Sequence, residues 1–259
     1  MADQCEWFCC SMFLGADHIY CRAFFDWKQP IAFKELRLMT LLAVKYRVER
    51  IITHAIACLE ATFPTKFFPD HFTGFNYVDD THQFLVLCRR QDCIGAIALA
   101  RAIDHDNPPA FIASTLYYCC QLSLHGTLLD VVPYSEDKVQ LERRDLAACM
   151  TRRTLLLEAD KGIRKPLLRA YDGPLCVDRD CINGVGLIMA RWMATGRFAR
   201  FTVLRSSGAW FAEHARRCPD WRLCYKCKES IENAIDEQRE RVFRNLGRVF
   251  KIDGWQAQY

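Results

Sequence analysis

The 259-residue sequence contains no run of apolar residues near the roughly 18 that a membrane-spanning helix requires. Its first residues include Asp3 and Glu6 in place of the positive stretch that opens a secretory leader. Together these absences lead to the expectation of a soluble chain in the cytoplasm or nucleus. Internal repeats and low-complexity tracts are missing as well, which sets aside solenoids and disordered tethers. No G-x-S-x-G, H-E-x-x-H, P-loop or G-x-G-x-x-G occurs. The fragment from Asn183 to Gly186 comes nearest to the last of these, but it lacks the third glycine and a preceding strand. No catalytic residue, nucleotide cofactor or enzymatic activity is therefore expected.

What is present describes a globule with a substantial core: 51% hydrophobic and 25% charged residues. The net charge of +4 conceals an asymmetry. Residues 1–140 carry 12 Lys+Arg against 16 Asp+Glu, and residues 141–259 carry 23 against 15. A basic half can attract nucleic acid, yet its charges alternate in sign along helical stretches, as on a solvated face. Trp192, Trp210, Trp221 and Trp255 do not interleave with those charges as a stacking platform would, and read as core or interface anchors. Fifteen cysteines, an odd number, fit a reducing compartment where most thiols act as small buried hydrophobes.

Apolar periodicity predicts helices over 33–46, 48–63, 92–103, 109–125, 141–164 and 228–250. Pro64 and Pro166 bound two of them, and Pro108–Pro109 opens another. The first two should form a pair in which Leu38, Leu41 and Leu42 meet Ile52, Ile56 and Leu59, with Tyr46 ending the first helix. The fold class expected is mostly α. The segment Asp104-His105-Asp106 precedes Asn107-Pro108 and reads as a loop and helix cap, not an acid/base pair. Asp79-Asp80 before Thr81 likewise reads as a helix start, where carboxylates favour the positive end of the dipole.

The strongest chemical signal is Cys176-x4-Cys181 with Cys224-x2-Cys227. Thiolates at short separation can each hold one side of a tetrahedral Zn²⁺, with sulfurs about 2.3 Å from the ion. Such a structural zinc would staple an irregular segment to the last helix, although 42 residues separate the pairs. His214 or Cys218 could replace one ligand. The competing reading is that these are inert buried thiols. A redox Cys-x-x-Cys would want a βαβ context that is missing around Leu223.

The stretch RAFFDWKQPIAFKELRLMTLLAVKYRVERIITHAIACLEATFP resembles the C-terminal helices of BTB/POZ domains, on Leu38, Leu41, Leu42, Ala43, Lys45 and Tyr46. CIGAIALARAIDHDNPPAFIASTLYYCCQ and LCYKCKESIENAIDEQRERVFRNLGRVFKIDGW resemble units that follow the BTB domain in proteins of mushroom-forming fungi. The resemblance implies a partial BTB/POZ-like domain over 1–64, a linker over 65–80, a helical region over 81–170 and a cysteine-pair region over 171–259. It further implies an adaptor or scaffold that binds a protein partner without catalysis. Only 32 residues precede Phe33, so most of the family's β-containing half is not matched. Homodimerisation and binding to a cullin-type ligase scaffold, which commonly use that half, are correspondingly weak expectations. The rival expectations are a nucleic-acid-associated factor using the basic half and the cysteine pairs, or a degenerate fragment without settled function.

Overall fold

A computed structural model describes residues 31–67, 86–87, 91–122, 132–134, 137–163, 181, 183–184, 204, 223–252 and 255. Among these the protein is predominantly helical. In chain order the elements are β1 (Ile31–Ala32), α1 (Phe33–Tyr46), α2 (Glu49–Thr62), β2 (Val86–Leu87), α3 (Asp92–Ile103), α4 (Ile112–Cys120), β3 (Val132–Tyr134), β4 (Asp137–Val139), α5 (Arg143–Ile163), α6 (Tyr225–Arg244) and α7 (Leu246–Phe250). β1 and β2 pair in parallel, Ile31 opposite Val86, and β3 and β4 form an antiparallel ribbon with Val132 opposite Val139. Asp79-Asp80 and most of the expected 65–80 linker lie outside the described residues.

α1 and α2 form the expected hairpin, and Tyr46 is the last residue of α1. Arg47 then takes a left-handed conformation, φ 56° and ψ 43°. Its N–H bonds to the Val44 carbonyl at 3.2 Å, and the Val48 N–H reaches back to Ala43 at 2.8 Å. This crossed pair satisfies two carbonyls that a helix end leaves open and reverses the chain within two residues. The buried face of α1 is rotated from the expected one. Phe33, Leu36, Thr40 and Ala43 are buried, while Leu38 is 58% exposed and Leu41 and Leu42 are only partly covered. On α2, Leu59 is fully buried, and Ile52 and Ile56 are half-buried. Thr40 can sit in that face because its hydroxyl donates to the Leu36 carbonyl at 2.7 Å.

α3 and α4 form the centre. α1 packs on α3, and α5 and α7 pack on α4. All nine residues of α4 are buried, and eight of the twelve in α3. A helix apolar all round must be enclosed by others, and small side chains (Gly95, Ala96, Ala100, Ala113) let its neighbours approach closely. Ser114 is accommodated by donating to the Pro64 carbonyl at 2.5 Å, which ties α4 to the end of α2. Before α4, bonds from Ile112 to Pro109 and from Ala113 to Ala110 make a tight turn. The regular helix therefore starts three residues after Pro109 and is shorter than the 109–125 expected.

The last helix also departs from expectation. It begins at Tyr225 because Cys224 caps it, and it breaks at Asn245. The Asn245 side-chain amide donates to the Arg241 carbonyl at 2.7 Å, and its backbone N–H divides between Arg241 and Val242. That competition for carbonyls separates α6 from the short α7. In α5 the buried stripe is Asp145, Cys149 and Leu156, with Leu141 buried just before it. Met150 is exposed.

Candidate metal centre

Cys224 is the N-cap of α6, with extended backbone (φ −63°, ψ 156°), and its sulfur accepts from the Cys227 N–H at 3.4 Å. Three residues is the spacing at which an N-cap side chain reaches an unpaired N–H of the first turn. Cys181, from a distant part of the chain, is buried here, and its sulfur accepts from the Cys224 N–H at 3.0 Å. The sulfurs of Cys181, Cys224 and Cys227 all lie within 4.8 Å of one another. Among the described residues this is the one group of three or more His, Cys, Asp or Glu side chains placed to hold a metal ion.

The donor set fits zinc. In a tetrahedral thiolate site, sulfurs about 2.3 Å from the ion stand roughly 3.8 Å apart, within the observed spread. Two backbone N–H donors to sulfur, and the positive end of a 20-residue helix, both favour the thiolate that a metal needs. Three of the four ligands expected from the sequence are thus together. Cys176, the fourth, lies outside the described residues, as do His214 and Cys218.

Comparisons with known proteins gave no match. No family model, curated protein or solved structure is similar to this chain.

A second group of thiols, which spacing in the sequence does not signal, lies in the core. Cys93 of α3 and Cys119 of α4 bring their sulfurs to 3.1 Å. Cys120 donates to the Cys149 carbonyl at 3.5 Å, and Cys149 donates to the Leu116 carbonyl at 3.9 Å. Hydrogen bonds with Cys119 and Cys120 draw the Cys149 thiol down, against burial and nearby Asp145. Burial first and thiol hydrogen bonds second push Cys119 up. All four are fully enclosed, in keeping with thiols that serve as small apolar side chains.

The Asp104–Asp106 segment is a loop, as expected. The Asp104 carboxylate accepts from the N–H groups of Asp106 and Asn107 at 3.0 and 2.8 Å, fixing the turn after α3. His105 and Asp106 are exposed, 3.2 Å apart. Two further polar anchors hold the interior. Arg101 grips Asp145 through Nη2 at 2.9 Å and Nε at 3.3 Å, with side chains 9% and 3% exposed. Arg239 of α6 is fully buried. It bonds to Asp236 and to the Leu204 carbonyl at 2.6 Å, and stacks over Phe67 with 5.4 Å to the ring centre. The Leu204 N–H donates to the Tyr117 hydroxyl at 3.1 Å, so one backbone unit is held from both sides. No helix among the described residues is long and apolar enough to cross a membrane.

Proposed function

We propose that this protein is a non-catalytic helical scaffold that engages another protein, with a structural zinc ion fastening the start of α6. The observation that carries the metal is the convergence of Cys181 with Cys224 and Cys227, sulfurs that the sequence separates by more than 40 residues. The adaptor role rests on the resemblance of 22–64 and the later segments to BTB/POZ proteins. A helical hairpin turning at Tyr46–Arg47 is compatible with it.

The charge pattern favours a protein partner over nucleic acid. On α6, Arg241 meets Glu237, Arg244 meets Glu240 and Lys228 meets Glu232, each at i,i+4 spacing. A face whose cations are paired this way has few positive charges left for phosphates.

The test takes the full chain purified under reducing conditions. It should contain about one zinc per molecule, and a chelator should lower its Tm, more in the wild type than in Cys224→Ser. Partners crosslinked in native extract should be retained by the zinc-loaded protein and lost by Cys224→Ser. Zinc-free protein with an unchanged Tm would leave the inert-thiol reading. Binding to mixed DNA and RNA that weakens steeply with salt would favour the nucleic-acid reading instead.

A further inference from the structure

A cleft of about 430 Å³ opens between the first half of α5, the loop after α3 and the end of α7. Its volume is that of a small-molecule site. Phe250, Ile252 and Pro108 supply apolar wall, while Arg101, Arg144, Arg152 and Lys251 supply positive charge. Two acids, Asp106 and Asp145, also line it.

These charges do not cancel. Asp145 is committed to Arg101 in the buried two-point pair. Asp106 is almost fully solvated and lies against His105. Arg144 gives Nη2 to the His105 carbonyl at 2.9 Å and keeps Glu142 at a loose 3.7 Å on the rim. That leaves Arg152 and Lys251, whose side chains make no hydrogen bond or ion pair with the described residues. Arg152 is nevertheless partly buried, a little over one turn along α5 from Ala147 and Ala148, whose small side chains line the cleft. Lys251, also lining the cleft, is fixed at the end of α7 by its left-handed turn (φ 56°, ψ 47°), closed by the Ile252 N–H on the Gly247 carbonyl at 2.8 Å.

We propose that this cleft binds a small phosphate monoester, its dianionic phosphate between Arg152 and Lys251 and its apolar part against Phe250 and Ile252. A guanidinium fork and an ammonium facing one space match a group with two negative charges and several acceptor oxygens. The proposal stands apart from the zinc site and from the adaptor role.

Phenyl phosphate is a suitable probe, because its phosphate is largely dianionic above about pH 7 and its ring is apolar. Calorimetric titration at low ionic strength should show saturable binding with one site per chain. Inorganic phosphate and benzoate, which lack the ring or the second charge, should bind more weakly. Arg152→Gln and Lys251→Gln should each weaken phenyl phosphate binding about tenfold, and the double variant about a hundredfold. Since neither side chain bonds to another of the described residues, circular dichroism should be unchanged in both. Lys34→Gln, on the exposed face of α1, should bind like wild type. The proposal is overturned by any of three results: no saturable binding, equal affinity in the double variant, or an equal loss in Lys34→Gln. Benzoate binding as tightly as phenyl phosphate would overturn the phosphate assignment.

Discussion

The α3–α4 pair and α6 both pack against the same core, yet they are held in different ways. α3 and α4 present apolar or small side chains in most directions, and their polar groups bond to carbonyls within a turn, to Pro64, or to single partners such as Asp145 for Arg101 and the Leu204 N–H for Tyr117. α6 is charged over most of its length and offers one stripe, Cys227, Ile231, Ile235, Arg239 and Phe243. Its hold depends on point contacts: a thiol cluster at one end, a buried arginine in the middle and an aromatic stack near the other. Phe67, Phe243 and Trp255 form that stack, with ring centres 5.7 and 5.5 Å apart. Burial by area spreads sensitivity over many apolar positions and admits a charge only with a partner, as at Arg101, whereas burial by point contact concentrates sensitivity in a few residues.

The comparison breaks most directly at Leu99, 1% exposed in α3. Leu99→Asp should destabilise by about 4 kcal/mol or more, because an unpaired carboxylate enters a closed apolar space. Urea unfolding measures it, and a loss under about 1 kcal/mol would mean the centre is not closed. Leu38→Asp is the matched control: at 58% exposure it should cost little.

Arg101→Met should cost about 3 kcal/mol, since it leaves the buried Asp145 carboxylate without its counter-charge. The double change with Asp145→Leu should recover much of that loss, and a double-mutant cycle with no coupling would show the pair to be incidental.

A smaller effect belongs to α7, just past the end of α6. A Cβ on Gly247 would fall 2.2–2.5 Å from Trp255 side-chain atoms. Gly247→Ala should therefore displace the indole and cost about 2 kcal/mol, with a red-shifted tryptophan emission. Unchanged emission would place Trp255 elsewhere in solution.

The smallest effect is expected on the exposed face of α6. Arg244→Ala, which removes the pair with Glu240, should change stability by about 0.5 kcal/mol or less. A change several times larger would show that α6 is held by its surface charges after all.

Much of the helical layout could be read from periodicity and prolines. Residues 33–46 and 92–103 form helices with the bounds expected, and 48–63 and 141–164 differ by one or two residues at each end. These segments carry their signal locally, in helix formers and in stop residues. The misread features depend on neighbours. Leu38 lies within the apolar pattern of α1, but α3 packs on the face defined by Leu36 and Ala43. In α5, Asp145 is buried because Arg101 pairs with it, while apolar Met150 faces solvent. For the thiols, the x2 spacing of Cys224 and Cys227 announced a shared site. The pairing of Cys93 with Cys119 has no such signature, since it arises where two helices cross.

The sequence by itself determined where the main helical segments lie and which residues are apolar enough to be enclosed, because backbone propensity and side-chain period act over one or two turns. Only the tertiary structure decided which face of each helix is covered, that Cys181 joins Cys224 and Cys227, that Arg101 and Arg239 are buried with partners, and that Arg152 and Lys251 face one cleft. Those outcomes depend on residues far apart in the chain being brought together when helices dock, and no local pattern encodes the position of the other helix.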